Sequence, residues 1–313
     1  GDDMIPLRFK PGHEDIFENI YNDVITRCKK LHPNELDDLD RWCRKKLSGR
    51  SFHDVVMADF ADLQVIVKEW DDKHLSMSEG QSKFLENYLY NTYFCRNRDD
   101  RKQFIGSFQN RVTVCPYCNR NYINSLKDYD LFQLDHFYPE SKYPVLAISF
   151  YNLVPVCPAC NYRKRTYLMH FSPYDEKWDS ADQIIRFDYD MLAADYLTNE
   201  DHIRVVIMPG DDSIRGDVMA DVDLLNLDSA YDCHRIEVQE MLKKGLVYPE
   251  DRVDEIYSKF PDLFNDREEV IHLVYGASTN EKRFTSEPLS KMKSDILKLA
   301  VQGACVNYAY PVQ

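Results

Sequence analysis

Along most of the chain, apolar residues recur every three or four positions, the spacing that places them on one buried face of an α-helix. This spacing predicts helices over residues 13–31, 36–47, 51–67, 81–94, 101–108, 229–244, 249–259, 267–275 and 288–301. Two short apolar runs, residues 184–187 and 203–208, predict strands, and Pro209-Gly210 ends the second. The pattern is that of an α+β chain in which helices dominate.

The middle of the chain interrupts the helical pattern. Between residues 111 and 178 the apolar runs shorten, and Pro and Cys residues are interspersed with strand and turn signals. We therefore predict three segments: a helical region over residues 1–110, a distinct core over 111–178, and a region of short strands followed by helices over 179–313.

Composition excludes several classes of protein. Hydrophobic residues make up 44% and charged residues 29% of the 313, which excludes wholesale disorder and a membrane bundle. No apolar run is long enough to predict a membrane-spanning helix. The nine cysteines are unevenly spaced and do not form the pattern of a secreted disulfide framework, so we expect a reducing, cytoplasmic environment.

The charge is unevenly distributed. A net charge of −14 argues against a protein that coats nucleic acid. Residues 110–170 depart from this average, because they hold seven basic and four acidic residues and are therefore +3. A polyanion would dock most favourably on this basic window.

Two cysteine pairs give the strongest chemical signal. Cys115-Pro-Tyr-Cys118 and Cys157-Pro-Ala-Cys160 are CxxC knuckles, each of which turns two sulfurs toward one point. Four such sulfurs predict a tetrahedral structural zinc site. The gap between the pairs is longer than in a simple zinc ribbon, which indicates a functional insert, although a bare zinc scaffold is the alternative.

The insert contains polar residues beside short apolar runs. Asp135-His136 ends a strand-like run and precedes Pro139. Asn152 comes before a second apolar run, and Asn161 follows directly after the second knuckle. Each of these is a weak signal alone, but the combination within two CxxC pairs is specific.

Together these residues resemble the HNH endonucleases. The resemblance implies a central ββα-metal (treble-clef) core, held together by zinc, within a mostly helical chain. The resemblance covers residues 112–166 and includes Lys164 after Cys160-Asn161. It implies that Asp135 and His136 end one strand of a hairpin, that Asn152 lies in the following loop, and that Asn161 lies on the helix that opens at the second knuckle. Asn161 in place of His is the H-N-N variant, which is also seen in the HNH domain of RNA-guided CRISPR enzymes.

The chemistry of phosphodiester hydrolysis suggests a role for each of these residues. His136 suits the general base that takes a proton from the attacking water. Asp135 and Asn161 are expected to be oxygen ligands for a catalytic Mg²⁺ or Mn²⁺ ion. Asn152 is expected to orient His136 or its loop, and the basic run that contains Arg163 and Lys164 is expected to contact phosphate.

We therefore predict a metal-dependent HNH endonuclease acting on nucleic acid, with DNA as the expected substrate. Residues 225–299 loosely resemble the tail of bacterial HNH proteins found beside ABC/AAA ATPases in anti-phage defence, such as the Septu nuclease subunit, which implies an ATPase partner. Two alternatives stay open: a catalytically silent zinc-knuckle binding module, and a nuclease that is inactive without its partner. No membrane association is expected.

Overall fold

The computed structural model of the chain describes residues 5–304. They form two compact units. One consists of residues 6–116 and 121–178, and the other of residues 117–120 and 179–304 together with Ile5. The helical stretch and most of the cysteine-containing core, which the sequence separates near residue 110, thus fall within one unit, whereas residues 117–120 fall in the other. The division into three segments stays a prediction.

The first unit contains most of the predicted N-terminal helices. Its elements are α1 (His13–Lys29), α2 (Pro33–Lys46), α3 (Phe52–Met57), α4 (Phe60–Asp72), α5 (Glu79–Lys83), a π-helix (Phe84–Cys95), α6 (Arg98–Gly106), β1 (Gln133–His136), β2 (Leu153–Val156) and α7 (Pro158–Lys164). Phe17, Phe104 and Phe150 are buried and form an aromatic cluster at the centre of this unit. This cluster packs α1 and α6 against the segment that leads into β2.

The single helix predicted over residues 51–67 is wrong, because the chain forms two. Ser51 and Asp54 make a capping box that starts α3. Ala58 then adopts an extended backbone, and the Asp59 side chain accepts a hydrogen bond from the Asp62 amide to start α4. Asp59 is a second N-cap that the uninterrupted apolar stripe concealed.

The helix predicted over residues 81–94 is present, but its second part is a π-helix, Phe84–Cys95. Its buried side chains include Leu85, Leu89, Tyr90 and Phe94. Single π turns are rare and often occur at functional sites, because the wider turn changes which side chains point inward. Here the π-helix turns Tyr90 inward, where its hydroxyl donates to the Leu134 carbonyl at 3.0 Å.

The two strands of the cysteine-containing core pair in antiparallel register. Gln133 pairs with Val156, and His136 pairs with Leu153 at the other end. Helix α7 follows β2 directly, and Cys157 is its N-cap. This register places the start of β1 beside the start of α7, and Lys164 at the end of α7 contacts the end of β1.

Asp130 connects the loop before β1 to helix α6 through hydrogen bonds and ion pairs. Its carboxylate accepts hydrogen bonds from Arg101 at 2.7 Å, from Arg98 at 3.1 Å and from the Ser125 hydroxyl. Burial alone would raise the pKa of Asp130, but these hydrogen bonds and the neighbouring charges hold it below its usual value.

We expect Asp130→Asn to lower the free energy of unfolding at neutral pH by about 3 kcal/mol, because it leaves two arginines without their buried partner. A carboxyl whose pKa is lowered by folding stabilises the native state at pH values above its unfolded pKa. That stabilisation is lost as the pH falls through the folded pKa. Urea denaturation of parent and variant from pH 7 down to about pH 3 should therefore show the difference shrinking. A difference that stays constant over this range would contradict the assignment.

The second unit combines a hairpin with helices. Its elements are β3 (Ile185–Met191), β4 (Ile203–Pro209), α8 (Arg215–Leu225), α9 (Leu227–Asp232), α10 (Arg235–Val247), α11 (Glu250–Lys259), α12 (Arg267–Tyr275) and α13 (Ser290–Ala304). The two predicted strands pair in antiparallel register. The helix predicted over residues 229–244 is wrong in its bounds, because α9 ends at Asp232 and α10 begins at Arg235.

A buried ion pair fixes α13 to the hairpin. The Lys291 ammonium is fully buried and contacts Asp182 at 2.7 Å and the Asp295 carboxylate. Asp295 also accepts from the Phe187 amide of β3 at 2.8 Å. The buried Lys291 ammonium is stabilised in this core by the two carboxylates that accept its hydrogen bonds.

Among residues 5–304, no helix has the length and hydrophobicity needed to cross a membrane. The predicted α+β chain, mostly helical with small sheets, is confirmed.

Candidate active site

The four cysteines of the two knuckles meet at one point. The Sγ atoms of Cys115, Cys118, Cys157 and Cys160 lie within 4.8 Å of one another, and all four residues are buried. Zn–S bonds of about 2.3 Å in a tetrahedron place sulfurs roughly 3.8 Å apart, so a small contraction of the cluster accommodates the ion. Four buried sulfurs at this spacing suggest zinc binding.

Hydrogen bonds support the second knuckle. The Asn121 side-chain amide donates to Cys157 Sγ at 3.3 Å, and the Cys160 backbone N–H points to the same sulfur at 3.5 Å. Such donors stabilise a thiolate and orient it toward a metal. Asn121 was not identified from the sequence, since an Asn after a CxxC pair resembles an ordinary turn residue.

The stretch after Cys118 is held by the C-terminal segments of its own unit. The Tyr231 hydroxyl donates to the Cys118 carbonyl at 2.7 Å. The buried Asn119 side chain donates to the Phe284 carbonyl at 2.7 Å and accepts from the Lys291 amide at 2.9 Å. Tyr231 and Lys291 lie within residues 225–299, and these contacts give them a structural role.

His136 is anchored by a backbone carbonyl. Its Nε2 lies 2.9 Å from the Ala147 oxygen, and the Tyr90 ring lies 4.5 Å from the imidazole, centre to centre. Because a carbonyl only accepts, Nε2 carries the hydrogen, and Nδ1 is the basic nitrogen of the neutral ring. Glu140 lies on the same side, with Oε2 at 3.6 Å from Nε2. Burial raises the pKa of Glu140, while His136 acts in the opposite direction.

Asp135 is paired with a buried lysine. Lys164 Nζ lies 3.2 Å from Oδ1 and 3.1 Å from Oδ2 of Asp135, and it donates to the His136 carbonyl at 2.8 Å. Lys164 is fully buried. The predicted phosphate contact does not fit this position, because an ammonium without exposed surface does not reach a substrate. The lysine instead fixes the carboxylate and the end of β1.

Asn152 fixes the loop after β1. Its Oδ1 accepts from the Tyr138 amide at 2.7 Å, and its Nδ2 donates to the Tyr138 carbonyl at 3.0 Å and to the Leu146 carbonyl at 3.3 Å. The side chain is fully buried, and these hydrogen bonds go to backbone groups rather than to the His136 ring. It acts on His136 indirectly, since it holds the residue that precedes Ala147, whose carbonyl anchors the imidazole.

Asn161 is the fourth residue of α7 and lies at the end of its first turn. Its Nδ2 donates to Gln133 Oε1 at 2.7 Å, so the Oδ1 end of the amide faces away from Gln133. Gln133 and Asp135 are two residues apart on β1 and therefore share a face of the strand. The i, i+2 spacing is the signal that would have identified Gln133 from the sequence.

Asp135, His136 and Asn161 line one cleft of about 290 Å³. The other lining residues are Tyr90, Leu134, Pro139, Glu140, Ser141, Arg165 and Thr166. Asp135 and His136 would point to opposite sides of an ideal strand, yet both line the cleft at the end of β1. Asn152 and Arg163 do not line the cleft, and Arg163 is exposed on α7.

The family comparison agrees with this geometry. Residues 115–166 match the HNH endonuclease family. The matched segment begins at the first knuckle, ends just beyond α7, and contains β1, β2 and the cleft residues from Leu134 onward. The resemblance read from the cysteine pairs and Asp135-His136 is thus confirmed for this segment, which suggests a nuclease of the HNH family. No curated protein and no solved structure matches the chain.

Proposed function

We propose that the chain is a metal-dependent endonuclease whose ββα-metal core consists of β1, β2 and α7. The observation that carries the proposal is the shared cleft of Asp135, His136 and Asn161 within the segment that matches the HNH endonucleases. A zinc-knuckle module that only binds would have no need for a base and two oxygen ligands around one cleft.

His136 is the general base in this proposal. The Ala147 carbonyl holds the hydrogen on Nε2, which leaves Nδ1 as the nitrogen that accepts a proton from water. Tyr90 packs against the ring and limits its rotation. Asn152 is a positioning residue, because it fixes the Tyr138 and Leu146 backbone on either side of the loop that carries Pro139 and Glu140.

The donor set of the cleft suits a hard divalent cation. Carboxylate oxygens of Asp135 and the Oδ1 atom of Asn161 would hold it, and Mg²⁺ and Mn²⁺ prefer such ligands. Lys164 Nζ lies 3.2 Å from Oδ1 and 3.1 Å from Oδ2 of Asp135, so a cation bound there would share the carboxylate with the lysine. Bound there, the ion would supply positive charge to the phosphate and the leaving oxygen.

The test is cleavage by the purified chain. Supercoiled plasmid, single-stranded DNA and RNA are incubated with Mg²⁺, with Mn²⁺ or with EDTA, and the products are separated on gels. We expect cleavage that EDTA abolishes, with DNA as the substrate. An inactive chain, retested with a candidate ATPase and still inactive, would leave the silent zinc module as the better explanation.

Asn161→Ala is expected to reduce cleavage strongly and to regain part of it at raised Mg²⁺ or Mn²⁺, because Asp135 remains and the ion is otherwise held by water and phosphate oxygens. Asn161→Asp, which keeps an oxygen in place, is expected to be less impaired. Activity titrated against metal concentration measures both variants. Loss of activity that no metal concentration relieves would contradict a ligand role for Asn161.

Asp135 is less suited to this test. Removing its carboxylate leaves the buried Lys164 ammonium unpaired, and breaking a buried pair costs about 3–5 kcal/mol. Any Asp135 variant therefore combines a loss of stability with a loss of ligand.

The biological setting comes from the sequence of the second unit. A role in anti-phage defence and an ATPase partner follow only from the loose likeness of residues 225–299, and both stay predictions. Tyr231 and Lys291 within that stretch already have structural partners, so their presence alone does not argue for a binding surface.

A further inference from the structure

We infer that Arg165, rather than Lys164 or Arg163, is the side chain that binds substrate phosphate beside the scissile bond. The inference rests on the proposed nuclease function and assigns the phosphate contact within its cleft. Three observations on Arg165 carry it: a strained backbone, a position on the cleft wall, and a guanidinium without a carboxylate partner.

The backbone of Arg165 is in a conformation that favours glycine. Its φ is 50° and its ψ is −122°, the values of the first central residue of a type II′ turn. The Tyr167 amide donates to the Lys164 carbonyl at 3.0 Å and closes that turn. A residue with a large side chain at this position is strained, and such strain is found preferentially where a side chain has a function.

The turn directs Arg165 to the cleft wall. Of the residues that line the cleft, Arg165 is the one lysine or arginine. The cleft otherwise presents the carboxylates of Asp135 and Glu140, which would repel a phosphodiester. Lys164 does not present positive charge at the cleft surface, because its ammonium is buried against Asp135.

Arg165 is oriented without being neutralised. Its guanidinium lies 4.9 Å from the centre of the Tyr162 ring, and its Nε donates to the Tyr162 carbonyl at 3.3 Å. Within residues 5–304, no carboxylate forms an ion pair with it. Tyr162 is 68% exposed, so the stacked pair stands at the surface. A preoriented arginine with unpaired N–H groups suits a phosphate, which it can contact through two parallel hydrogen bonds.

The experiment compares Arg165→Gly and Arg165→Lys with Arg163→Ala. Arg163 is the matched control, because it is an exposed arginine two residues earlier, in the last turn of α7, and does not line the cleft. Cleavage is assayed with each variant alone. Binding is measured in a His136→Ala background with fluorescein-labelled duplex DNA, single-stranded DNA and RNA of one sequence over a range of salt concentrations. Thermal unfolding is followed in parallel.

Arg165→Gly is expected to bind about 10–100-fold more weakly, since one charge-assisted phosphate contact is lost. Its salt dependence should fall by about one unit of slope. Its thermal midpoint should be equal to or above that of the parent, because glycine adopts the turn without strain. Arg165→Lys should retain part of the affinity, and Arg163→Ala most of it.

Equal losses for Arg165→Gly and Arg163→Ala would overturn the inference and indicate a general effect of charge. Parent-like binding and cleavage by Arg165→Gly would overturn it while leaving the nuclease proposal intact. A parent that cuts none of the nucleic acids, with or without a candidate ATPase, would overturn both.

Discussion

His136→Ala is expected to lower the rate of nucleic-acid cleavage by about 10²–10⁴-fold, the usual effect of removing a general base. The imidazole is held at Nε2 by Ala147, and Nδ1 is the nitrogen that accepts the proton. Raised Mg²⁺ or Mn²⁺ should not restore this variant, because added cation does not replace a proton acceptor. Single-turnover cleavage of the substrate that the parent cuts is the measurement.

The control for His136→Ala is His170→Ala, which removes an exposed histidine outside the cleft. His136 is mostly buried against Tyr90, so its loss also creates a small cavity. Zinc content and the thermal midpoint of both variants separate a loss of fold from a loss of chemistry. A folded, zinc-loaded His136→Ala that cuts as fast as the parent would refute the nuclease assignment of this cleft.

The sequence predicted the parts of the fold that depend on local periodicity. Helices α1 and α12 and the strands β3 and β4 follow directly from apolar spacing. Helix α8 was missed, because Arg215–Leu225 contains Gly216 and three aspartates that weaken the helical pattern. Asp221 is nonetheless buried there, which shows that tertiary packing outweighed local propensity.

The candidate site likewise has features that the sequence predicted and features that only the structure reveals. Motif spacing was enough to predict the cysteine cluster, which depends on two short turns. Lys164 looked like part of a solvated basic run, and only the packing of α7 on β1 reveals that it is buried against Asp135. Tyr90 could not be linked to His136 from the sequence, because the two residues are far apart in the chain and are brought together by the π-helix.

Lys164 and Arg165 illustrate why composition alone does not assign roles within a charged run. Of these two adjacent cations, Lys164 is buried and Arg165 is exposed, because α7 ends at Lys164 and the chain turns at Arg165. The buried cation stabilises Asp135, and the exposed one faces the cleft. A single change of backbone direction therefore separates a positioning residue from a proposed binding residue.

Removing the zinc is expected to have the largest effect on stability. Structural zinc contributes an apparent free energy of about 10–16 kcal/mol in zinc-finger peptides, so Cys157→Ser should lose the ion and the fold of the core around β1, β2 and α7. Metal analysis by mass spectrometry should give about one zinc per chain for the parent and none for this variant, with loss of cooperative thermal unfolding. Cys43→Ser, which alters a buried thiol outside the cluster, should keep its zinc. Parent protein that is purified without chelator and contains no zinc would refute the site, because four buried sulfurs this close together would then have no ion to hold them.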